Sequence, residues 1–347
     1  MKLKQFSIAT QTENFLIRLL VLSLAASAIG RAQESSPWRD PSNHKVQFIT
    51  VDKGVQLEVL DWGGTGRPVV LLAGLGMTAH VFDGFAEKLT DSYHVYGITR
   101  RGYGASSRPA SGYTEQRRAE DDLRVFDALQ LVAPVVAGHS VAGNELSQLG
   151  IQHYERIGGL VYLEALNDGT DDYTDYDAVS SKLPEVMRKP PSPSPPDLKS
   201  FQAYRDWRAR TDGISIPVAE LRSQFAENPD GTVGDYKIPG SVPVAIMDGD
   251  HKHDYSKIRV PVLALVGYPE LPQDQIRKNN VTDPADRIIV EAVFGTYVGM
   301  TKNRIKRINE AAGGARVVEL WGASHFVFLS NEADVLREVR AFLLTLR

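Results

Sequence analysis

Ser140 and His325 are the residues whose types and surroundings point most directly to chemistry. Ser140 stands in Gly138-His139-Ser140-Val141-Ala142-Gly143, between an apolar run typical of a buried strand and a stretch typical of a helix. A serine at such a junction, with small neighbours, is held exposed as a nucleophile. Its hydroxyl needs a base at neutral pH, and the imidazole of His325 titrates in the right range. Ser140 is therefore a candidate nucleophile that needs a histidine base, and His325 is a candidate for it.

Short apolar runs alternate with helical patterns along the chain. Lys45–Val51 and Val55–Asp61 flank Asp52-Lys53-Gly54 and predict a hairpin. The further predicted strands are Pro68–Leu72, His94–Thr99, Val135–Ala137, Leu160–Glu164, Val262–Val266 and Arg316–Leu320. The predicted helices are Ala79–Thr90, Thr114–Leu131, Val141–Tyr154, Val298–Ala312 and Glu332–Leu346. This alternation predicts an α/β fold with a mostly parallel central sheet and helices on both faces.

The alternation stops after the sixth predicted strand. We predict an inserted cap over residues 167–257, between two parts of the core at 33–166 and 258–347. The run Pro190–Pro196 predicts a stiff piece within the cap. The cap also carries aromatic residues, which form either an apolar pocket or its own small core; they are Tyr173, Tyr176, Phe201, Tyr204 and Trp207. The sequence leaves these two interpretations open.

Three further motifs follow predicted strands. They are Ala73-Gly74-Leu75-Gly76, the loop Arg100–Ser107, and Gly322-Ala323-Ser324-His325-Phe326 after the last strand. With the segment around Ser140, they make the chain from about Lys45 to its C-terminus resemble the α/β-hydrolase fold superfamily, of the serine hydrolase or esterase type with a cap insertion. The resemblance implies the predicted fold and a catalytic role for His325.

The resemblance also implies an oxyanion hole made by the backbone N–H groups of Leu75 and Val141. It gives the loop Arg100–Ser107 a structural role. The chain departs from the family pattern at two positions: Ala73 stands where the family has histidine, and Ala142 replaces the last glycine of G-x-S-x-G. We expect one extra methyl group to be tolerated at Ala142, because Gly143 follows.

The acid that would orient His325 has two candidates. Glu164 ends the strand Leu160–Glu164 and resembles the alternative acid position used by some haloalkane dehalogenases. Glu270 follows the strand Val262–Val266 and resembles the family's usual acid position. Glu164 comes directly from a rigid strand, whereas Glu270 lies beside prolines in a loop. We favour Glu164, with Glu270 as the alternative acid.

These residues imply hydrolysis of a carboxylic ester, a small-molecule substrate, through an acyl-enzyme. A serine rather than an aspartate at position 140 argues against dehalogenase or epoxide hydrolase chemistry. Cleavage of a lactone, an amide or an activated C–C bond by the same triad is an alternative. A further alternative is a non-catalytic ligand-binding protein that keeps the fold, since one fold supports both.

No cofactor or metal is predicted. His251 and His253, with Asp250 and Asp254, resemble a metal site, but a solvated polar loop explains them as well. The chain contains no cysteine, which excludes disulfides, a cysteine nucleophile and thiolate metal ligands.

The N-terminal residues have the layout of a secretory signal peptide. Lys2 and Lys4 precede the apolar run Phe15–Ile29, and small residues follow. We predict a signal peptide over residues 1–32 and export to the periplasm or the medium. Its removal takes four basic residues and one acidic residue, so the net charge falls from −4 to −7. Such an acidic protein is a poor partner for nucleic acid, and no membrane contact is predicted after cleavage.

Overall fold

The computed structural model of the chain describes residues 38–168, 171–189 and 191–346. The predicted signal peptide, residues 1–32, lies outside them, so export stays a prediction. Pro190 of the proline-rich run also lies outside them. Among the described residues, every helix is too short or too polar to cross a membrane.

An eight-stranded sheet forms the centre of the described residues. The strands in chain order, including two short ones outside this sheet, are β1 (Lys45–Asp52), β2 (Val55–Gly63), β3 (Pro68–Leu72), β4 (His94–Thr99), β5 (Val135–His139), β6 (Gly159–Leu163), β7 (Phe225–Glu227), β8 (Val233–Tyr236), β9 (Val262–Tyr268) and β10 (Ala315–Trp321). The sheet has the order β1-β2-β4-β3-β5-β6-β9-β10. The pairs β1–β2 and β2–β4 are antiparallel and the others are parallel. The mostly parallel sheet confirms the predicted fold class.

Helices follow or precede most strands of this sheet. In chain order they are α1 (Asp83–Glu87), α2 (Glu115–Ala128), α3 (Ala142–Gln152), α4 (Thr174–Ser180), α5 (Glu185–Arg188), α6 (Pro195–Leu198), α7 (Phe201–Asp212), α8 (Val218–Gln224), α9 (Ser241–Asp248), α10 (Pro272–Lys278), α11 (Pro284–Ile308), α12 (Val327–Ser330) and α13 (Glu332–Thr345). A 3₁₀ turn, Ala79–Phe82, leads into α1.

Both faces of the sheet are covered by packed apolar side chains. The residues of β3 show this, because they alternate between two buried clusters. Val69 and Leu71 belong to one buried apolar cluster, and Val70 and Leu72 belong to another. Successive residues of a strand point to opposite faces, so an unbroken apolar strand must be buried on both. The apolar sequence of β3 follows from this position.

The segment between β6 and β9, termed the insert (residues 167–257), contains α4 to α9 and the hairpin β7–β8. Phe201, Tyr204 and Trp207 of α7 are buried in the cluster that also contains Phe82. The rings of Tyr204 and Trp207 stack with centroids 5.5 Å apart. These three aromatic residues therefore pack in a core that the insert shares with the sheet and its helices, rather than in a small core of the insert's own.

Helix α11 is longer than predicted. The sequence indicated a helix over Val298–Ala312, whereas α11 already begins at Pro284 and ends at Ile308. Asp283 caps it by accepting a hydrogen bond from the Ala285 N–H, and a proline at the first helical position suits a helix start. The prediction missed this start because charged residues interrupt the apolar pattern of the first turns.

Candidate active site

Ser140 lies on the sharp turn between β5 and α3. Its backbone φ of +55° is in the left-handed region, which a non-glycine residue adopts at a cost of about 1–3 kcal/mol. The Ser140 N–H donates to the carbonyl of Leu163, and the Ser140 carbonyl accepts from the Gly143 N–H at 2.9 Å. The turn is thus held at both ends, and it leaves the serine half-buried rather than enclosed.

Two glycines make room for this turn. A Cβ atom on Gly143 would lie 1.8 Å from the Ala165 carbonyl oxygen, so no side chain fits there. A Cβ atom on Gly138 would lie 2.9 Å from the Cβ of Ala142. The methyl group of Ala142 therefore occupies space that Gly138 leaves free. This packing explains how the turn accommodates alanine where the family pattern has glycine.

His325 meets Ser140 from the loop after β10. Its Nε2 lies 2.9 Å from the Ser140 Oγ, within hydrogen-bond distance. The loop is fixed directly before the histidine, because the Ala323 N–H donates to the Tyr268 carbonyl and the Ser324 N–H donates to the Ser330 hydroxyl. The structure brings together the two residues that the sequence singled out.

His139 supports this contact, a role that the sequence did not suggest. Its Nε2–H donates to the carbonyl of His325 at 2.9 Å, and the two rings lie 4.7 Å apart. Burial, followed by the proximity of His325, holds the pKa of His139 well below its usual value, so the ring is neutral. His139, which directly precedes Ser140, therefore connects the turn of Ser140 to the backbone of His325.

The imidazole of His325 is also biased towards its neutral form. Surrounding protein atoms, and then the positive charge of Arg304, lower the pKa of His325. The residue remains open to solvent, and water limits the depth of this shift. A neutral ring is the form that can accept the proton of Ser140.

Leu75 and Val141 present the backbone N–H groups expected to form an oxyanion hole. Among residues 38–168, 171–189 and 191–346, neither group donates to a protein acceptor. Arg100 holds the preceding residue of the first loop, because its Nη1 donates to the Gly74 carbonyl at 2.9 Å. The guanidinium also binds Glu145 of α3 through two hydrogen bonds. Arg100 thus links the two loops that carry the free N–H groups.

Glu164 follows β6 directly, with a φ of +50°, and is buried. Its Oε2 accepts from the Gly267 N–H, and the Tyr297 hydroxyl donates to Oε1 at 3.4 Å. Burial raises the pKa of Glu164 to about 7. A Cβ placed on Gly267 would lie 2.9 Å from Glu164 Oε2 and 3.4 Å from the Ser324 carbonyl, so the carboxylate adjoins the loop of His325.

Glu270 has a different environment. It is exposed, and its carboxylate pairs with Lys278 at 3.2 Å. Among the described residues, neither Glu164 nor Glu270 accepts a hydrogen bond from His325. The structure thus brings Ser140 and His325 together and leaves both carboxylates outside that hydrogen bond.

A cavity of about 580 Å³ borders this region. The core contributes Glu164, Glu270 and His325 to its wall, and the insert contributes Tyr176 and Arg188, among others. Of the aromatic residues singled out in the sequence, Tyr176 is the one on this wall. The cavity has a mixed polar and apolar surface.

The insert also contacts the first loop through buried polar groups. Glu220 of α8 accepts from the N–H of Thr78 at 3.1 Å and from its hydroxyl. Gln224 donates to the Gly76 carbonyl at 3.1 Å. Burial raises the pKa of Glu220 to about 7. No signal in the sequence distinguished Glu220, because the contact joins residues far apart in the chain.

The polar residues near position 250 bind the core. Asp250 accepts from Arg118 at 2.7 Å and from Asn144 at 2.8 Å, and His253 lies 3.1 Å from Asn144 Oδ1. Asp254 pairs with neighbours on its own segment. Three of the four residues that resembled a metal site in the sequence thus contact protein groups.

Curated relatives resemble this chain in sequence over part of its length, whereas solved structures resemble it in fold over most of its length. The chain is 39% identical over 115 residues to "Putative carbamate hydrolase RutD" of Caulobacter segnis, covering 32% of this chain and 43% of that protein. It is 32% identical over 102 residues to the non-heme chloroperoxidase of Streptomyces lividans, covering 29% and 37%. The chain thus spans less than half the length of these curated relatives.

Among solved structures, E-2-(acetamidomethylene)succinate hydrolase superposes with a TM-score of 0.62 at 16% identity, over 86% of this chain and 99% of that chain. This likeness concerns the fold alone. Residues 69–338 match the sequence profile of the "Alpha/beta hydrolase family". This range is most of the chain and contains both Ser140 and His325. The chain therefore belongs to the alpha/beta hydrolase family.

Proposed function

We propose that this protein is a serine hydrolase that cleaves a carboxylic ester through an acyl-enzyme. The observation that carries the proposal is the 2.9 Å contact between Ser140 Oγ and His325 Nε2 on a strained turn. A serine next to a neutral imidazole can lose its proton as it attacks a carbonyl carbon. Membership of the family supports hydrolysis as the class of reaction.

The reaction follows from this arrangement. Ser140 Oγ attacks the acyl carbon while His325 Nε2 takes its proton. The N–H groups of Leu75 and Val141 bind the oxyanion, an interaction typically worth about 10²–10³ in rate for each donor. His325 then protonates the departing alcohol. A water molecule next gives a proton to His325 as its oxygen attacks the acyl carbon, and His325 returns that proton to Ser140 Oγ as the bond to the serine breaks and the carboxylic acid leaves.

We propose Glu164 as the acid that stabilises the His325 imidazolium. It is buried and adjoins the His325 loop, whereas Glu270 is exposed and already paired with Lys278. A buried carboxylate stabilises a nearby cation more strongly than an exposed one, because water screens it less. The imidazolium formed during the reaction would in turn favour the ionised form of Glu164.

We further propose that the insert acts as a cap over the site. Tyr176 and Arg188 of the insert face the cavity that Glu164 and His325 border. A volume of about 580 Å³ suits a small-molecule substrate. The mixed wall favours an acyl compound that carries polar groups.

The test is hydrolysis of p-nitrophenyl acetate and butyrate by the purified protein and by Ser140→Ala. We expect the substitution to lower kcat/KM by about 10⁴-fold or more. The matched control is Ser256→Ala. It removes an exposed serine hydroxyl that bonds to Asp254 and takes no part in the Ser140–His325 contact, so it should leave kcat/KM unchanged. A Ser140→Ala variant as active as the wild type would refute the proposed nucleophile.

A second panel separates the alternatives. Lactone, amide and carbamate substrates extend the assay to the other acyl bonds that the same residues could attack, and the name of the Caulobacter relative motivates the carbamate. A folded wild-type protein that turns over no acyl substrate and does not react with a fluorophosphonate would instead indicate a ligand-binding protein.

A further inference from the structure

A second group of titratable residues lies outside the site described above. Asp40 and His44 precede β1, whereas His80 and Asp83 lie on the 3₁₀ turn and the start of α1. Each offers one ligand atom, and these atoms lie within 4.8 Å of one another. We call these four residues the histidine–aspartate cluster. We propose that the cluster binds one zinc ion, which ties the segment before β1 to the turn after the first loop.

The spacing of the donor atoms matches a tetrahedral site. His44 Nδ1 lies 3.0 Å from Asp83 Oδ1, and His80 Nδ1 lies 3.2 Å from Asp40 Oδ2 and 3.6 Å from Asp83 Oδ2. Zinc bonds of about 2.0 Å in a tetrahedron place neighbouring donors about 3.3 Å apart. These contact distances scatter around that value, but they involve both oxygens of Asp83, and the four ligand atoms as a set lie within 4.8 Å of one another. Rotations of the side chains would therefore be needed to bring one oxygen of Asp83 and the other three donors into coordination.

Two buried polar atoms point into the cluster without a well-directed hydrogen bond. Among the described residues, His80 Nδ1 and Asp83 Oδ2 contact charged atoms of the cluster itself, such as Asp40 Oδ2 at 3.2 Å from His80 Nδ1, but neither completes a hydrogen bond of good geometry. The residues themselves are more than nine-tenths buried, with 8% and 5% of their surface exposed. Buried polar atoms normally have a partner, because an unmet one costs about 1–3 kcal/mol. A metal ion would bind both atoms at once.

The remaining atoms of the carboxylates are held in place. The Trp62 Nε1–H donates to Asp83 Oδ1 at 3.1 Å, and the Ser42 N–H donates to Asp40 Oδ1 at 2.9 Å. These bonds orient Asp83 Oδ2 and Asp40 Oδ2 towards the cluster. Hydrogen bonds of this kind, which fix a ligand from behind, are typical of protein metal sites.

The charges of the cluster favour a divalent cation. Asp40, Asp83 and the nearby Glu58 supply three carboxylates against two imidazoles, and Glu58 Oε1 lies 3.7 Å from His80 Nε2. Arg222 and Lys237 border the adjoining cavity and offset part of the negative charge.

A ligand set of two imidazoles and two carboxylates favours zinc over calcium and magnesium. Calcium and magnesium prefer sites made of oxygen ligands alone, whereas imidazole nitrogen and carboxylate oxygen together suit zinc. A cavity of about 410 Å³, with Asp40, Glu58 and His80 on its wall, gives the ion a path from solvent. The described geometry closes the site with protein ligands, so the ion would be structural.

The experiment is zinc titration of the tag-free, chelator-treated full chain, followed by calorimetry and by thermal unfolding. We expect one zinc ion per chain with a Kd of about 1 μM or tighter, and a midpoint about 5 °C higher at a hundredfold excess over Kd. His80→Gln should weaken binding at least tenfold. His94→Gln removes another imidazole–carboxylate pair, His94–Asp61 at 2.8 Å, and should bind zinc as the wild type does.

Asp40→Asn is the second variant, because Asp40 is the most exposed ligand and its substitution should leave the fold intact. It should also weaken zinc binding at least tenfold. A wild-type protein that binds no zinc, or that binds it as tightly as both variants do, would overturn the proposal. Equal stabilisation by calcium or magnesium at the same concentration would overturn the choice of zinc.

Discussion

His325 and His80 are the same side chain in opposite surroundings. His325 faces a serine hydroxyl and the positive charge of Arg304, and its pKa is lowered. His80 faces Asp40 and Asp83, and its pKa is raised to about 12. Surrounding protein atoms disfavour the charged form of both rings, so the charged neighbours decide the difference. One ring is prepared to accept a proton from Ser140, whereas the other holds its proton among carboxylates and would release it on binding zinc.

The largest expected effect separates the two rings by function. His325→Gln should lower kcat/KM for p-nitrophenyl butyrate by about 10⁴-fold, because the base is lost, with little change in the thermal midpoint. His80→Gln should retain turnover within about threefold and lower the midpoint in the presence of zinc. Steady-state kinetics and thermal unfolding of both variants test this. If His325→Gln and His80→Gln lost turnover to a similar extent, the two histidines would not have the different roles proposed here.

The next effect concerns the carboxylate near His325. Glu164→Gln should lower kcat by about 10²–10⁴-fold, because the amide cannot stabilise the imidazolium. Glu270→Gln should change kcat by less than threefold, because Glu270 is exposed and bound to Lys278. The two variants are matched in chemistry and differ only in position. The reverse result would make Glu270 the acid.

A smaller effect is expected in the pH dependence of turnover. Since surrounding protein atoms and Arg304 disfavour the imidazolium, the acid limb of kcat/KM should be centred below about pH 6.5, the usual pKa of histidine. Rates of butyrate ester hydrolysis from pH 4 to 9 provide the measurement. A limb centred above 6.5 would mean that a carboxylate already stabilises the imidazolium in the free enzyme, as Asp40 and Asp83 do for His80.

The smallest effect is on stability. The pKa of Glu164 is about 7 in the folded protein and about 4.5 when unfolded, so its protonated form is favoured by folding. That contribution is complete below about pH 4.5 and is lost as the pH rises through about 7. Relative to Glu164→Gln, the wild type should therefore lose about 2–4 °C in thermal midpoint between pH 5 and pH 8.5. A difference that stays constant across this range would contradict the raised pKa.

The parts of the structure that depend on neighbouring residues were predictable. The bounds of β3 and β4 agree with the sequence prediction, because an unbroken apolar run between turn residues identifies a buried strand. The turn at Ser140 was predictable for a similar reason, since Gly138 and Gly143 lie within three residues of it. The position of His325 after the last strand followed from the resemblance to the family.

The parts that join distant residues were not predictable. Asp40 and His44 are brought to His80 and Asp83 only when β1 and β2 fold against the parallel strands. The sequence instead drew attention to His251 and His253, where histidines lie close together in the chain. Proximity along a sequence is a poor guide to ligand sets, because the sheet decides which loops meet. The burial of Glu164 could not be predicted for the same reason, because its contacts with Gly267 and Tyr297 join residues far apart in the chain.

The hydrogen bonds from Glu220 and Gln224 to the first loop have a consequence for protein engineering. Exchange of the insert for that of a relative would remove the acceptor of the Thr78 N–H and the donor to the Gly76 carbonyl. Gly76 directly follows Leu75, and Thr78 lies three residues after it. A chimera would therefore disturb the loop that carries Leu75 even if its new insert folded well. The insert is not an interchangeable module, and a successful graft must carry matching partners for residues 76 and 78.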